Sequence, residues 1–401
     1  MKILYLISGR SAATSTIGRK ITAVTESFNK IVKTDLLCAG DIVNGQYVPE
    51  IKLPLSNIAA YHNKWYRKNT FMNFFTRSYS ELRDLIHCYH TWKLLKKRAV
   101  HYDLIWERSS RLHWAGLLYA KKHNVKRVLE WKDHLVDYRW SLFHRLAIYM
   151  ETWKNHNADF ITVESEVLRQ NLIQSGIQPH KIFVTYNAVN PDEFVKSPEH
   201  RQEVRNRLNI KPDDWVIGYC GSYAFYHDSL RMILAAEILK DKGINSVKWL
   251  LVGSGRDYGL CRKAAEEKDL LNKTVFMIPR VPKEEVPKYL SAFDLAILPG
   301  STDIICPIKV MEYMAAETTV LLPDYPCNRE VVTEENGILF QPFSEQSIAD
   351  SILKLLKTPE QLLNLSHNAR KRVKESFTWD KTYGAVLKQI LDSIAENENS
   401  N

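Results

Sequence analysis

No apolar stretch in the 401 residues approaches the roughly 18 uncharged positions that a membrane-spanning helix needs. The opening MKILYLISGR has too short an apolar run for a secretory signal, and no small-residue cleavage site follows. It reads as a buried first strand. Cysteine is scarce and scattered: Cys38, Cys88, Cys220, Cys261, Cys306 and Cys327 form no Cys-x-x-Cys pair. That spacing argues against a zinc site or a disulfide framework and makes a reducing cytosol the expected compartment. Internal repeats and low-complexity tracts are missing as well. So is any Asp-x-Asp motif of the kind that holds a metal against a diphosphate. LVGSGRD (Leu251–Asp257) lacks the third glycine of a dinucleotide fingerprint, and no acidic residue ends a strand about 20 positions later, which disfavours NAD.

What remains is an ordinary globular composition, 45% hydrophobic and 25% charged, with a formal charge of +9. The length suits two or three domains. Short apolar runs alternate with helical patterns throughout: KILYLIS, DLLCA, DLIW, RVLEW, DFITV and KIFVTY, then WVIGYC, VKWLLVG, KTVFMI, FDLAILP, TVLLP and GILF. Runs without polar alternation, separated by helices, predict parallel sheets covered on both faces. Two sets predict two doubly wound α/β domains. NPDEF interrupts the pattern between Asn190 and Val195, just before a polar helix over 197–208, and marks the boundary. The tail over 359–395 reads as helical throughout.

The stretch from Tyr61 to Val100 stands apart. Nine basic residues, among them Lys64, Arg67, Lys68 and Arg77, face only Glu81 and Asp84, and nine aromatic residues lie between them. Rings sit comfortably at a lipid interface, and each cation near an anionic surface contributes about 1 kcal/mol. A pair of helices with a solvated basic face fits the same composition, and single-stranded nucleic acid also takes rings among cations. Nothing else in the chain supports nucleic acid.

Open parallel sheets bind ligands beyond the carboxyl ends of their strands. Gly18, in STIGRK, falls in the loop after the first strand, ahead of a helix expected near Ile21; a plain turn explains it equally well. Gly253 and Gly255 follow VKWLL in the same way. CPIKVMEYMAAE (Cys306–Glu317) is richer: Pro307 and Ile308 open a helix, and Lys309 and Glu312 share one face near its positive end. A lysine there can hold a diphosphate, and a carboxylate one turn on can accept two ribose hydroxyls. Taken alone, the pair reads as a surface ion pair. KDHL sets Asp133 and His134 after RVLEW, and ERSSR sets Glu107, Arg108 and Arg111 after DLIW. Both are candidate acceptor contacts, or else structural and charged-loop residues.

The order of segments resembles the family 4 retaining glycosyltransferases. ITVESEVLRQNLIQSGI, NAVNPDEF, IGYCGSYAFYHDSL, LLVGSG, VPKEEVPKYLSAFDLAILP, PIKVMEYMAAETTVLLPD and SFTWDKT follow one another as in that family, over roughly residues 100 to 390. The nucleotide-sugar helix takes the family's Pro-x-Lys-x-x-Glu-Tyr-Met-Ala form. The first 100 residues match only in the opening strand and Gly18.

The resemblance implies a GT-B fold: two Rossmann-like domains, 1–192 and 193–375, facing a central cleft, with a C-terminal helix at about 376–395 packed back on the first. It implies a metal-independent, hexosyltransferase-like enzyme moving a sugar from a nucleoside-diphosphate-sugar to a lipid-linked or saccharide acceptor in cell-surface polysaccharide synthesis. Lys309, His227, Arg256 and the helix N-termini would then stabilise the leaving diphosphate, and Glu312 would take the ribose. Backbone from Pro279 through Arg280 to Val281 would take the base, Tyr186 and Asn187 would lie at the hinge, and His134 would sit by the reacting sugar. The expected location is cytoplasmic, on the inner face of the membrane through residues 61–100. The departures are specific. Ile304 stands where the family's first glutamate is usual, with Asp303 the nearest carboxylate. Ser222 and His227 replace the usual Arg and Lys, Glu317 and Thr319 replace a Gly and a Pro, and Arg280 replaces a Gly. They keep open an alternative, a non-catalytic nucleotide-sugar-binding partner of another transferase.

Overall fold

The computed structural model describes residues 1–7, 16–38, 42–43, 46–47, 70–98, 100–108, 112–131 and 141–399. The chain divides into two compact units, Met1–Tyr186 with Thr382–Asn401, and Asn187–Lys381. All twelve apolar runs are strands, six in each unit, and every pairing between them is parallel.

In the first unit the elements are β1 (Lys2–Ile7), α1 (Thr16–Asn29), β2 (Lys33–Cys38), a short hairpin of β3 (Ile42–Val43) and β4 (Gln46–Tyr47), and α2 (Thr70–Lys97). They continue with β5 (Leu104–Arg108), α3 (Ala115–His123), β6 (Lys126–Glu130), α4 (His144–His156), β7 (Phe160–Val163), α5 (Glu166–Gln174) and β8 (Ile182–Val184). The sheet order is β2-β1-β5-β6-β7-β8. Ile3 through Ile7 are buried, as a central strand covered on both faces requires. The first helix starts at Thr16, earlier than the expected Ile21, so Gly18 lies in its opening turn and not in a loop. Ser165 caps α5, its Oγ accepting from the Leu168 N–H at 3.1 Å.

One further expectation about this unit is corrected. Glu107 and Arg108 are not a charged loop but the last residues of β5, and both are buried. Arg127 donates from Nε to Glu107 Oε2 at 2.7 Å, and Arg108 is ion-paired with Glu130. Glu130 also accepts from Tyr5 Oη at 2.9 Å, Trp106 Nε1 at 3.1 Å and Tyr383 Oη at 3.4 Å. Lys20, on α1, is buried and ion-paired with Glu164. Buried charges are tolerated because each has a partner.

The second unit runs α6 (Pro198–Arg207), β9 (Trp215–Ser222), α7 (Leu230–Asp241), β10 (Val247–Ser254), α8 (Tyr258–Glu267), β11 (Val275–Ile278), α9 (Val286–Ser291) and β12 (Leu295–Ile297). It ends with α10 (Ile308–Ala315), β13 (Thr319–Pro323), α11 (Pro326–Arg329), β14 (Gly337–Phe340), α12 (Glu345–Leu356) and α13 (Pro359–Ser376). The order β11-β10-β9-β12-β13-β14 reverses direction between β9 and β12. Chains of this topology bind ligands at that reversal, beyond the carboxyl ends of the two strands. The tail is not helical throughout. Phe377 leaves helical geometry (φ −122°, ψ 36°), and a π turn, Asp380–Gly384, precedes α14 (Ala385–Asn399). Tyr383 in that turn is the residue bonded to Glu130.

Candidate functional site

The loops after β9 and β12 meet at the reversal. His227 comes from the first and Gly300 from the second, and the His227 Nδ1 lies 3.1 Å from the Gly300 carbonyl oxygen. A carbonyl only accepts, so Nδ1 carries the proton and Nε2 is left as an acceptor. Lys309, in the first turn of α10, fills that position with its ammonium 3.0 Å away. The same ammonium donates to Tyr219 Oη at 3.2 Å and lies 4.9 Å from the centre of the Tyr219 ring. Burial pushes Lys309 down to about 8, against the opposing pull of Cys220 and Glu312. Burial and the Lys309 charge push His227 down to about 3, although the Gly300 carbonyl favours its charged form. His227 is therefore a neutral imidazole and adds no positive charge of its own. Lys309 supplies it.

Backbone shape makes room for this cation. A Cβ at Gly221 would stand 2.6 Å from Lys309 Nζ. Gly253 has φ +143°, and a Cβ there would stand 1.8 Å from the Gly221 carbonyl oxygen. Close approach of β9 and β10 thus accounts for the glycine that the sequence suggested as a ligand contact. α10 is pinned to the end of β9 by Tyr313, whose Oη donates to the Cys220 carbonyl and accepts from the Cys220 N–H, both at 2.9 Å. Asn187 Nδ2 donates to the Cys306 carbonyl at 3.1 Å and fixes the residue that leads into Pro307. Pro307 sits at the N-cap with φ −70° and ψ 148°, and Ile308 opens the helix.

Lys309 and Glu312 do share the start of α10, but they meet different groups. Glu312, 14% exposed, faces Lys283 Nζ at 3.7 Å, from the turn after β11. Arg280 is exposed in that same loop, and Val281 beside it is half-buried. Arg256, after β10, is 65% exposed, pairs with Asp257 at 2.7 Å and lies 5.3 Å from the centre of the Phe225 ring. Parallel strands bring all these loops to one edge of the sheet. Ile304 is half-buried and Asp303 exposed. Asp133, His134 and Arg111 lie outside the described residues. Tyr219, Gly221, Gly300, Lys283 and Tyr313 complete the site without having been singled out by sequence. Among the described residues, no three His, Cys, Asp or Glu side chains gather as metal ligands, and no helix is long and apolar enough to cross a membrane.

Residues 200–372 match the family model for group 1 glycosyl transferases, and residues 58–193 match that for glycosyltransferase family 4. The capsular polysaccharide biosynthesis glycosyltransferase CapM of Staphylococcus aureus is 24% identical over 62% of this chain and 65% of its own length. An uncharacterized glycosyltransferase of Methanocaldococcus jannaschii is 26% identical over 58% of this chain and 59% of its own. The alignments thus span less than two thirds of either relative. Anabaena HepE, solved in complex with UDP, superposes with a TM-score of 0.71 at 14% identity, covering 98% of this chain and 100% of that one. Sucrose-phosphate synthase of Thermosynechococcus elongatus gives 0.71 at 18% identity with the same coverage. The fold these features define is the GT-B fold of those glycosyltransferase structures. Within it, the two family models, one on each half of the chain, support a family 4 glycosyltransferase.

Proposed function

We propose that the chain transfers a sugar from a nucleoside-diphosphate-sugar to a saccharide or lipid-linked acceptor, with retention at the anomeric carbon, in the synthesis of a cell-surface polysaccharide. The observation that carries this reading is the half-buried Lys309 ammonium at the strand-order reversal, held by neutral acceptors at the N-terminal end of α10. Its partners, an imidazole nitrogen and a phenol oxygen, are neutral, so a diphosphate oxygen is the stronger acceptor and can take the ammonium over. The need grows as the bond between the anomeric carbon and the diphosphate breaks and charge builds on the leaving oxygen. A cation preorganised in a low-dielectric site lowers that barrier. The departing diphosphate then takes the acceptor's proton on the same face of the sugar as the new glycosidic bond forms.

Glu312 takes the ribose hydroxyls, exchanging its long contact with Lys283 for them, and the loop from Pro279 to Val281 receives the base. Arg256 and the backbone at Gly253 border the diphosphate, Gly18 counts among the donor contacts, and Asp133 and His134 serve the acceptor side. No metal takes part, so turnover survives EDTA. UDP bound to HepE and the capsular and teichuronic acid roles in the names of relatives support the donor class and the polysaccharide setting. The protein works from the cytoplasm, against the inner face of the membrane through residues 61–100. Titrating UDP and UDP-sugars while following sugar release tests the reading. Tight binding with no release and no transfer under any donor would instead favour the non-catalytic partner, which Ile304 in place of the first glutamate keeps in view.

A further inference from the structure

Of the fifteen large apolar side chains that stand exposed among the described residues, eight lie on two helices of the first unit and a ninth, Leu142, just ahead of the second. On α2, Phe75, Tyr79, Leu82, Ile86 and Tyr89 recur at alternating steps of four and three. That spacing draws one stripe along a helix. Tyr79 is 68% exposed. Leu142 (70% exposed), two residues ahead of α4, and Leu146 and Tyr149 (66%) on it repeat the pattern. α2 meets the start of α4: Leu85 and Phe143 both pack against the cluster of Leu112, Ala147 and Met150, and Ser78 Oγ accepts from the Leu142 N–H at 3.0 Å. Apolar patches of this kind are rare on surfaces that meet only water.

We infer that the adjoining outer faces of α2 and α4 seat on an anionic lipid leaflet, chiefly by inserting apolar side chains, a step that rests on the membrane-borne acceptor proposed above. Charge chooses the occupant. Lys93, Lys96, Lys97 and Arg145 are exposed on these helices. Lys93 Nζ lies 4.6 Å over the Tyr89 ring and Lys96 Nζ 4.8 Å over Trp92, so their stems follow the apolar surface while their heads stay in water. The acids of the same helices turn away from the face: Glu81 is buried, Asp84 is half-buried off the stripe, and Glu151 accepts from Trp131 Nε1 at 2.9 Å. A second copy of the chain would set these cations against their own kind. Anionic headgroups meet both the rings and the charges.

The test is co-sedimentation with vesicles of phosphatidylcholine alone and of phosphatidylcholine with phosphatidylglycerol. The chain should bind the anionic vesicles more strongly. Y79S/I86S/Y149S should lose about tenfold or more of that binding, and K93Q/K96Q/K97Q should bind both vesicle types alike. Both variants should keep the wild-type melting temperature and UDP affinity, since the changes are exposed and the donor residues untouched. Equal binding of the serine variant and wild type overturns the inference. So does equal wild-type binding to both vesicles, or a concentration-dependent dimer that the serine variant abolishes. Loss of UDP binding in wild type would strike the donor reading and leave the vesicle result standing.

Discussion

Lys309 Nζ stands 3.0 Å from His227 Nε2, a nitrogen that can only accept because its partner Nδ1 donates to the Gly300 carbonyl. The imidazole thereby fixes where the ammonium points without competing for its charge. His227→Phe keeps a ring in the space and removes both bonds. It should lower kcat/KM about tenfold, the worth of one hydrogen bond to a charged group. His227→Gln, which can donate to Gly300 and accept from Lys309, should recover much of it. Steady-state kinetics of the two variants check this.

Lys309 should give donor binding and stability opposite responses to pH. Its charge is held down to about 8, so it is lost as pH rises through 8, and affinity for UDP should fall there. The unfolded chain keeps this lysine protonated to about 10.4. Between those values the unfolded state binds more protons, so this group's contribution to stability rises with pH. Lys154 and Lys196 are pushed down to about 8 as well. Comparison with Lys309→Met isolates the effect: calorimetric titrations and urea melts at pH 7 and 9 should show both trends shrink in the variant. His227, neutral down to about 3, adds no transition between pH 5 and 7.

Glu312 is assigned to the ribose. Glu312→Ala should weaken UDP binding by about 1.5–3 kcal/mol, the range for hydrogen bonds to a charged acceptor. Deoxyuridine diphosphate separates this from a general loss of fit. Wild type should favour UDP over the deoxy form, and the variant should bind the two more nearly alike. An undiminished preference for UDP in the variant would reassign the ribose contact.

Glu130 gathers Arg108, Tyr5, Trp106 and Tyr383 in the first unit. Glu130→Ala leaves the Arg108 guanidinium buried without its carboxylate and should cost about 3–5 kcal/mol in urea denaturation. Tyr383→Phe removes only the longest of these bonds and should cost far less.

The sheets were legible because central parallel strands, buried on both faces, appear as unbroken apolar runs. Lys309 and Glu312 were legible because their three-residue spacing is local. Their surroundings were not. His227 is 82 residues from Lys309, Tyr219 is 90, and Gly300 is 73 from His227, so only the topology brings them together. Glu107 and Arg108 looked like a charged loop because their partners, Arg127 and Glu130, lie one strand away. Gly18 looked like a loop residue because polar STIGRK hides a helix start, and Gly253 gave no hint that the Gly221 carbonyl crowds it.

The central claim is that one preorganised cation, Lys309, carries the leaving diphosphate. Lys309→Met keeps an unbranched side chain one atom shorter and removes its charge. UDP titrated into wild type and variant, with sugar release from UDP-sugar followed in parallel, measures the claim directly. The account predicts release slowed by about a hundredfold or more, weaker UDP binding, and a melting temperature at or above wild type because a half-buried charge is gone. Release and UDP affinity equal to wild type in a folded variant would contradict it.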